Sequence, residues 1–176
     1  MRDVEGIVVG LVKEIDAEHA SVKVEFPWLS ESYRSNWARV AMPLSGKDRG
    51  FFMMPEKDDE VLVAFDHTNP EHPYIVGSVW NGVDKPSEKT AKNRVILTPG
   101  GHTLRFEDTD DKKKLILRSS AGHEIVFDDT SGGQTITVKM KQTSTQIVLD
   151  DKGQGSIALE GGGRKLELKG NKVQIS

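Results

Sequence analysis

The feature that most restricts the fold of this 176-residue chain is a tandem pattern of eight short segments in its second half. Each segment carries two apolar residues at positions i and i+2, and neighbouring segments begin 7 to 11 residues apart. Two phrases, GHTLRFEDT from residue 101 and GHEIVFDDT from residue 122, are close variants of each other. This alternation, interrupted by turns rich in Gly, Asp and Ser, predicts a repeat array of short strands with one apolar and one polar face.

The apolar face of this array needs a cover. The second half of the sequence contains no amphipathic helix that could lie on it, so the cover is expected to be another copy of the same face. Two copies would make a sandwich and three a triangular prism, and the period alone does not choose between them. Residues 94–176 should therefore not be stable as a monomer. The residues predicted to share this face are Leu104, Phe106, Leu115, Leu117, Ile125, Phe127, Ile136, Val138, Ile147, Leu149, Ile157, Leu159, Leu166, Leu168, Val173 and Ile175.

Charge and aromatic content divide the chain into two parts. Residues 1–90 hold 10 Lys and Arg against 16 Asp and Glu, a net charge of -6, whereas residues 91–176 hold 14 against 11, a net of +3. All three Trp, both Tyr and four of the six Phe lie in the first part. The polar stretch over residues 81–93 separates the two parts; it contains a proline and no apolar periodicity, which is typical of a linker. We therefore predict a first domain over residues 1–82, a linker over 83–93 and a repeat domain over 94–176.

The first domain is predicted to be a small β-barrel. Five runs rich in β-branched and aromatic residues fall within about 80 residues, with no convincing helix between them. Two glycines inside these runs, Gly10 and Gly77, are placed where barrel corners bend. This arrangement favours a five-stranded Greek-key barrel of the OB type, in an all-β chain. The predicted strands are residues 6–15, 21–26, 36–42, 60–66 and 74–80.

Composition also limits the chemistry of the chain. It contains no cysteine, which excludes disulfides, thiolate zinc sites and a cysteine nucleophile. Asp3 and Glu5 lie where a secretory signal would carry basic residues, and the apolar run that follows is short, so we expect no signal peptide. Neither the G-x-S-x-G nor the H-E-x-x-H motif occurs, and we expect no enzymatic activity, no catalytic residues and no cofactor.

Each candidate ligand site in the sequence has a simpler structural interpretation. His67 and His72 lie in one proline-containing loop and are expected to be solvated. His102 and His123 occupy equivalent repeat positions and are expected to face outward at strand starts. The acidic stretch from residue 108 lacks the twelve-residue calcium pattern, and EGGGRK from residue 160 lacks the phosphate-binding G-K-[ST]. We therefore expect solvated turns and no metal.

Four aromatic residues of the first domain allow two functional interpretations. Trp28, Trp37, Phe51 and Phe52 could form a stacking platform, as in OB folds that bind single strands. Such a platform needs a basic groove, whereas this part of the chain carries a net charge of -6, so packing in the core or between subunits is favoured. An OB module that binds nucleic acid or glycan, with a repeat stalk, remains the alternative to a structural protein. The structural protein requires association with further copies of itself, and the binding module predicts salt-sensitive affinity.

The chain resembles a known family over almost its whole length, roughly residues 4–176. It is similar to the VgrG and phage baseplate-V spike family, in which an OB domain precedes a C-terminal triangular β-helix. Its GH-type phrases are similar to that family's β-helix repeats. The motifs that carry the resemblance, in order, are VKVEFPW from residue 22, NWARVAM from 36, GKDRGFF from 46, PEKDDEVLV from 55, HPYIVGS from 72, NG from 81 and NRVILTPGGHTLRFED from 93.

The resemblance implies a homotrimer without nucleic acid. Three barrels would ring an axis and three ribbons would intertwine into a β-helix whose trimer core is the predicted apolar face up to Leu168. Such a spike pierces the target envelope for a phage tail baseplate, a type VI secretion system or an extracellular injection particle. The chain would be made in the cytoplasm, delivered by the machine and in transient contact with the target membrane. Polar positions such as Arg105, Glu124, Lys139 and Glu167 would keep the shaft soluble.

Two departures from the family pattern shape the expected partners. The barrel begins close to Met1 with no hub domain before it, so the hub is expected to be a separate protein at the barrel end, or this sequence is a piece of a longer chain. The chain ends KVQIS without the H-x-H motif that holds iron at some phage spike tips, so no metal apex is expected. Open strand edges need cover. We expect a PAAR-like tip protein to dock at Val173 and Ile175, unless the sequence is truncated there.

Overall fold

The computed structural model of the chain consists of two β-rich units, residues 1–86 and residues 87–176. It describes residues 6–29, 33–143 and 145–175, so that Asp3 and Glu5 lie outside the described residues. The prediction of an all-β chain is confirmed: the described part holds sixteen strands and a single 3-10 turn at Asp66–Thr68. Within that part, no helix has the length and apolar character needed to cross a membrane. The predicted linker, residues 83–93, divides between the two units.

The first unit contains the predicted five-stranded barrel. Its strands close in the order β1-β2-β3-β7-β6, with β3 and β7 parallel and the other neighbours antiparallel. Two further short strands, β4 and β5, form a hairpin outside the barrel that the sequence did not reveal. The strands are β1 (Val8–Asp16), β2 (Ser21–Glu25), β3 (Ala38–Val40), β4 (Ser45–Gly46), β5 (Arg49–Gly50), β6 (Glu60–Phe65) and β7 (Pro73–Ser78).

The barrel interior is a small aliphatic core. Alternate residues of each strand point inward, as the period of two requires. Gly10 lies where β1 passes close to β2, because a Cβ built on it would come within 3.2 Å of the Val24 Cβ. Gly77 lies instead beside a β-bulge at Val76, where β7 carries one residue more than β6. The buried core residues are Val12, Val22, Val24, Phe26, Ala38, Val61, Val63 and Ile75.

The second unit is one nine-stranded antiparallel sheet in which every strand pairs with its neighbours in sequence. The eight predicted segments correspond to β9–β16. The sequence analysis did not assign β8 to the repeats, and only one of its two positions on that face is apolar: Arg94 lies opposite Phe106 and Ile96 opposite Leu104. These ladders form within one chain, and interlocking between chains stays a prediction. The strands are β8 (Arg94–Leu97), β9 (Thr103–Thr109), β10 (Lys112–Arg118), β11 (Glu124–Asp128), β12 (Thr135–Lys139), β13 (Gln146–Asp150), β14 (Ser156–Gly161), β15 (Arg164–Lys169) and β16 (Lys172–Ile175).

The repeated GH phrases mark two hairpin turns of one type on the same side of the sheet. Gly101 and Gly122 have φ values of +83° and +85°, a conformation that favours glycine. Each glycine N–H donates to the carbonyl three residues earlier, at 2.9 and 2.8 Å. The Nδ1 atoms of His102 and His123 each accept a long hydrogen bond of 3.4 Å from a backbone N–H of the next turn on that side. The repetition therefore reflects stacked turns.

Candidate interaction surfaces

The strand register places the predicted apolar residues on one face of the sheet, called here the apolar face. They form two columns, because directly opposed residues of antiparallel strands point to the same side. One column runs through Leu117, Ile125 and Val138, and the other through Leu115, Phe127 and Ile136. β8 adds Ile96, opposite Leu104, to the first column. The sheet is about 38 Å long at about 4.8 Å per strand, so this face is a long, narrow stripe.

Side chains of the apolar face contact their neighbours on the sheet, but no described residue of the second unit covers the face. Eleven of the fourteen residues predicted for the trimer core are 36 to 43% exposed, a uniform value along the sheet. Burying the remaining exposed part of each would contribute about 0.6–1.2 kcal/mol, taking about 40% of the gain for a whole aliphatic side chain. Monomeric proteins rarely expose an apolar stripe of this extent. The eleven are Phe106, Leu117, Ile125, Phe127, Ile136, Val138, Ile147, Leu149, Ile157, Leu159 and Leu168.

The opposite face of the sheet carries two rows of charged and polar residues. Cross-strand ion pairs join them, among them Arg118 with Glu124 at 2.6 Å and Lys114 with Asp128 at 2.6 Å. The Lys114 ammonium and the Thr130 hydroxyl lower the pKa of the Asp128 carboxyl to about 2. The polar positions singled out in the sequence all point to this face, as the register shows. They are Arg105, Glu124, Lys139 and Glu167.

A narrow apolar row between the charged rows escaped the sequence analysis. Ile116 and Ala158 are 9% and 6% exposed, and Val126 and Val148 lie between them in the register. The charged side chains beside this row cover it with their aliphatic stems. The signal was present in the middle residue of four of the eight segments: L-I-L, I-V-F, I-V-L and I-A-L. Two faces of different character therefore exist, and the two-column face is the one left open.

The segment before β8 is fixed to the sheet at two carboxylates: Asp110 pairs with Lys92 at 2.8 Å, and Glu88 makes the larger set of contacts. Glu88 accepts backbone N–H bonds from Lys89 and Thr90 at 2.8 and 2.7 Å, and a side-chain bond from Asn93 at 3.3 Å. Its second oxygen lies 2.5 Å from the Arg105 guanidinium of β9. The Thr90 N–H, with the Asn93 and Lys89 donors and Arg105, lowers the pKa of Glu88 from 4.5 to about 2. Four donors thus hold one side chain in the part of the chain predicted to be a linker.

Acid should loosen this segment. Because the folded pKa of Glu88 lies below its unfolded value, its stabilising contribution is complete above about pH 4.5 and is lost as pH falls towards 2. Amide hydrogen exchange in β8, relative to free-peptide rates, should accelerate over that window. Glu88→Gln should give the accelerated exchange already at pH 7. Asp129→Asn, at an exposed residue of the β11–β12 turn, serves as the control and should leave β8 unchanged. Equal protection in Glu88→Gln and the unaltered chain would contradict the assignment.

The four aromatic residues considered as a platform lie on the barrel surface. Trp28, Trp37, Phe51 and Phe52 are 52, 44, 50 and 65% exposed, so the expectation that they belong to the core is wrong. The core is aliphatic apart from Phe26. The Lys23 ammonium lies 4.7 Å from the Trp37 ring centroid and covers it, and Phe51 and Phe52 follow the β4–β5 hairpin. Packing between subunits stays a prediction for these residues.

The candidate ligand sites of the sequence are separate turns. His67 is 96% exposed beside Asp66, at 3.6 Å. Asp111 accepts from the Thr109 hydroxyl at 2.9 Å in the β9–β10 hairpin. Gly162 and Gly163, with φ of +58° and +76°, form the two-residue turn between β14 and β15. In residues 6–29, 33–143 and 145–175, no three His, Asp or Glu side chains come close enough to hold a metal.

The last strand of the sheet is the most exposed. Val173 and Ile175 of β16 are 67% and 79% exposed, against about 40% for the apolar face further along the sheet. β16 pairs with β15 on one side, and no other described strand pairs with it. Two apolar side chains and a row of free backbone groups therefore lie together at this edge.

The chain is similar to proteins of known family. Residues 5–80 match the family described as the type VI secretion system/phage-baseplate injector OB domain. The chain is 30% identical over 114 residues to the actin cross-linking toxin VgrG1 of Vibrio cholerae, which covers 58% of this chain and 10% of that protein. It is 29% identical over 110 residues to the type VI secretion system spike protein VgrG3 of Vibrio cholerae, covering 56% and 11%.

A third relative is the type VI secretion system spike protein VgrG1c of Pseudomonas aeruginosa. It is 27% identical over 117 residues, covering 58% of this chain and 16% of that protein. The match to each of these relatives thus covers less than a fifth of the relative's length. The resemblance inferred from the sequence motifs is confirmed for the N-terminal part of the chain by the family match and by these relatives, and for the rest of the repeat domain it stays a prediction.

Proposed function

We propose that this chain, whose barrel belongs to the type VI secretion system/phage-baseplate injector OB domain family, is the central spike of a contractile injection machine. The observation that carries the proposal is the apolar face. A nine-stranded sheet with eleven apolar residues of one face 36 to 43% exposed needs a partner of the same shape, and the same chain bears the barrel of a spike family. A shaft built from copies of that sheet would cover the apolar face and would suit a chain that carries the barrel of a spike family.

The shaft is a homotrimer in this proposal. Three sheets face inward as a triangular prism, and the fourteen trimer-core residues from Leu104 to Leu168 fill its interior. The resemblance to the spike family favours three copies over a two-sheet sandwich. Charged residues of the opposite face, such as Glu124 and Lys139, then meet solvent on all three sides. The barrel carries no unsatisfied strand edges of its own, because it is closed.

The work of such a shaft is mechanical. Ladder hydrogen bonds run along the direction in which the sheet grows, so a force along the shaft loads many of them together. The shared apolar interior couples the three sheets sideways. Sheath contraction would drive the spike first through the target envelope, with transient membrane contact and no chemical step. The chain would be made in the cytoplasm and carried out by the machine itself.

Two partners complete the proposed assembly. A separate hub protein is expected at the barrel end. A PAAR-like tip protein is expected at β16, where Val173 and Ile175 and the free strand edge offer an apolar, hydrogen-bonding surface. The tip protein would cover the edge that otherwise invites association with other strands.

Purified particles test the function. In a cell that makes a contractile machine with this chain, the particles should contain the chain together with a PAAR-like protein. Val173→Asp/Ile175→Asp should remove the PAAR-like protein and keep the chain. Lys152→Asp, at an exposed residue in the β13–β14 turn of the same sheet, is the control and should keep both. Particles that assemble and inject normally without the chain would contradict the spike function.

A further inference from the structure

The barrel carries an exposed arm that the spike function does not use. Residues 43–53 are all exposed, between Ala41, whose N–H donates to Ile75, and Pro55, which is buried. The arm contains the β4–β5 hairpin, a two-stranded sheet separate from the closed barrel. Four of its side chains are large and apolar, with exposed fractions of 49 to 65%: Leu44, Phe51, Phe52 and Met53.

The arm has a defined shape. The Phe51 N–H donates to the Leu44 carbonyl at 2.9 Å, which closes the hairpin behind its two strands. Gly50 has φ of +150°, and a Cβ on it would lie 2.7 Å from the Leu44 carbonyl oxygen, so the turn is built around glycine. An isolated two-stranded hairpin is marginally stable in water. An ordered hairpin with two exposed phenylalanines therefore needs a surface to pack against.

A patch of apolar residues on the outside of the barrel fits that need. Val9, Leu62 and Gly77 lie side by side across β1, β6 and β7, with Val76 beside them at the bulge; we call these four residues the seat. Val9 and Val76 are 39% and 45% exposed. Nothing lies within 4 Å of a Cβ built on Gly77, so space for an incoming side chain is open there. Trp28 borders the seat, and its indole N–H donates to the Val9 carbonyl at 3.2 Å.

Charge favours contact between the arm and another barrel. The arm holds Lys47 and Arg49 against Asp48, a net of +1, and neither cation has an ion-pair partner within the described part of the chain. The rest of residues 1–90 holds 8 basic and 15 acidic residues, a net of -7. A basic, apolar arm thus projects from an acidic barrel. Its charge complements a second copy of the barrel that bears it.

We propose that the arm of one barrel docks onto the seat of a neighbouring copy. Arm and seat share no residue, and a closed ring of subunits requires two such different, complementary patches on every chain. A two-fold dimer would instead use one patch against itself. The inference rests on the proposed trimer, in which three barrels lie together, and adds a second contact that closes the ring at the barrels.

Cysteine cross-linking tests the contact directly, because the chain contains no cysteine of its own. Ser45→Cys places a thiol on β4 of the arm, and Ser78→Cys places one at the end of β7 beside the seat; both serines are exposed and nearly isosteric with cysteine. A short bis-maleimide should convert the full-length double variant into a covalent trimer. Either single variant should stay uncross-linked, and a mixture of the two should give covalent dimers. Ser45→Cys/Glu18→Cys, with the second thiol on the β1–β2 turn, is the control and should give none.

Light scattering on the same samples separates this inference from the proposed function. A mass of three chains with the covalent trimer supports arm exchange. A mass of three chains without arm-to-seat cross-links overturns arm exchange alone, as does cross-linking of Ser45→Cys to itself or equal cross-linking of the control. A mass of one chain without cross-links overturns arm exchange and the trimer together.

Discussion

Replacing Ile136 by lysine should convert the assembly of three chains into single chains. Ile136 lies in the middle of the sheet on the apolar face and is 37% exposed in one chain. In the prism the substitution would bury three ammonium groups in an apolar interior without partners. Each such charge costs several kcal/mol, so the assembly as a whole loses on the order of 10 kcal/mol. Light scattering on Ile136→Lys should give the mass of one chain.

Thr135→Lys is the matched control. Thr135 is the residue before Ile136 in β12 and points to the opposite face, between Asp128 and Asp150 in the register. A lysine there would lie between two carboxylates in a charged row, and the mass should stay at three chains. Loss of the assembly in both variants would indicate a folding defect, and its retention in Ile136→Lys would contradict the buried apolar face.

Truncating Ile75 should destabilise the barrel more than any substitution on its surface. Ile75 is 1% exposed in the centre of the aliphatic core. Ile→Ala at such a site typically costs about 2–5 kcal/mol, from lost burial and from the cavity left behind. For a domain of this size the melting temperature should fall by on the order of 10 °C or more. All three tryptophans lie in this unit, so thermal unfolding followed by tryptophan fluorescence reports on the barrel.

Ile7→Ala makes the same chemical change at an exposed position just before β1. Ile7 is 59% exposed, so the truncation removes less buried surface and leaves no enclosed cavity. Its melting temperature should lie within a few degrees of the unaltered chain, since such surface changes are usually within about 0.5 kcal/mol. Similar losses in the two variants would mean that the inward and outward positions of the barrel are wrongly assigned.

The apolar face was predictable because a strand has a period of two and a slip of one residue would reverse every side chain. Leu115, Phe127 and Ile136 could therefore be placed on one side of the sheet from the sequence alone, and the strand register of the structure agrees with that placement. The barrel was predictable for the same reason. Its strand ends were not: residues 36–42 were predicted as a strand, and β3 covers Ala38–Val40.

Other features depend on contacts that no period encodes. Glu88 holds its segment through backbone and side-chain donors that cannot be recognised in a polar stretch of sequence. The arm was missed because residues 43–53 show no alternation and mix two phenylalanines with a charged turn. The sequence analysis assigned Phe51 and Phe52 to packing in the core or between subunits. Whether these side chains are exposed depends on whether the hairpin joins the barrel, which the sequence does not show. Ile116 was missed because only two apolar positions were counted in each segment.

The mass of the unaltered chain in solution tests the central claim most directly. Size-exclusion chromatography with light scattering on the full-length protein should give three times the mass of the 19.5 kDa chain, independent of concentration over the accessible range. That result would mean that the apolar face is covered by two further copies. A well-folded species of one chain would contradict the account, because the exposed face of the nine-stranded sheet would then be stable without a cover.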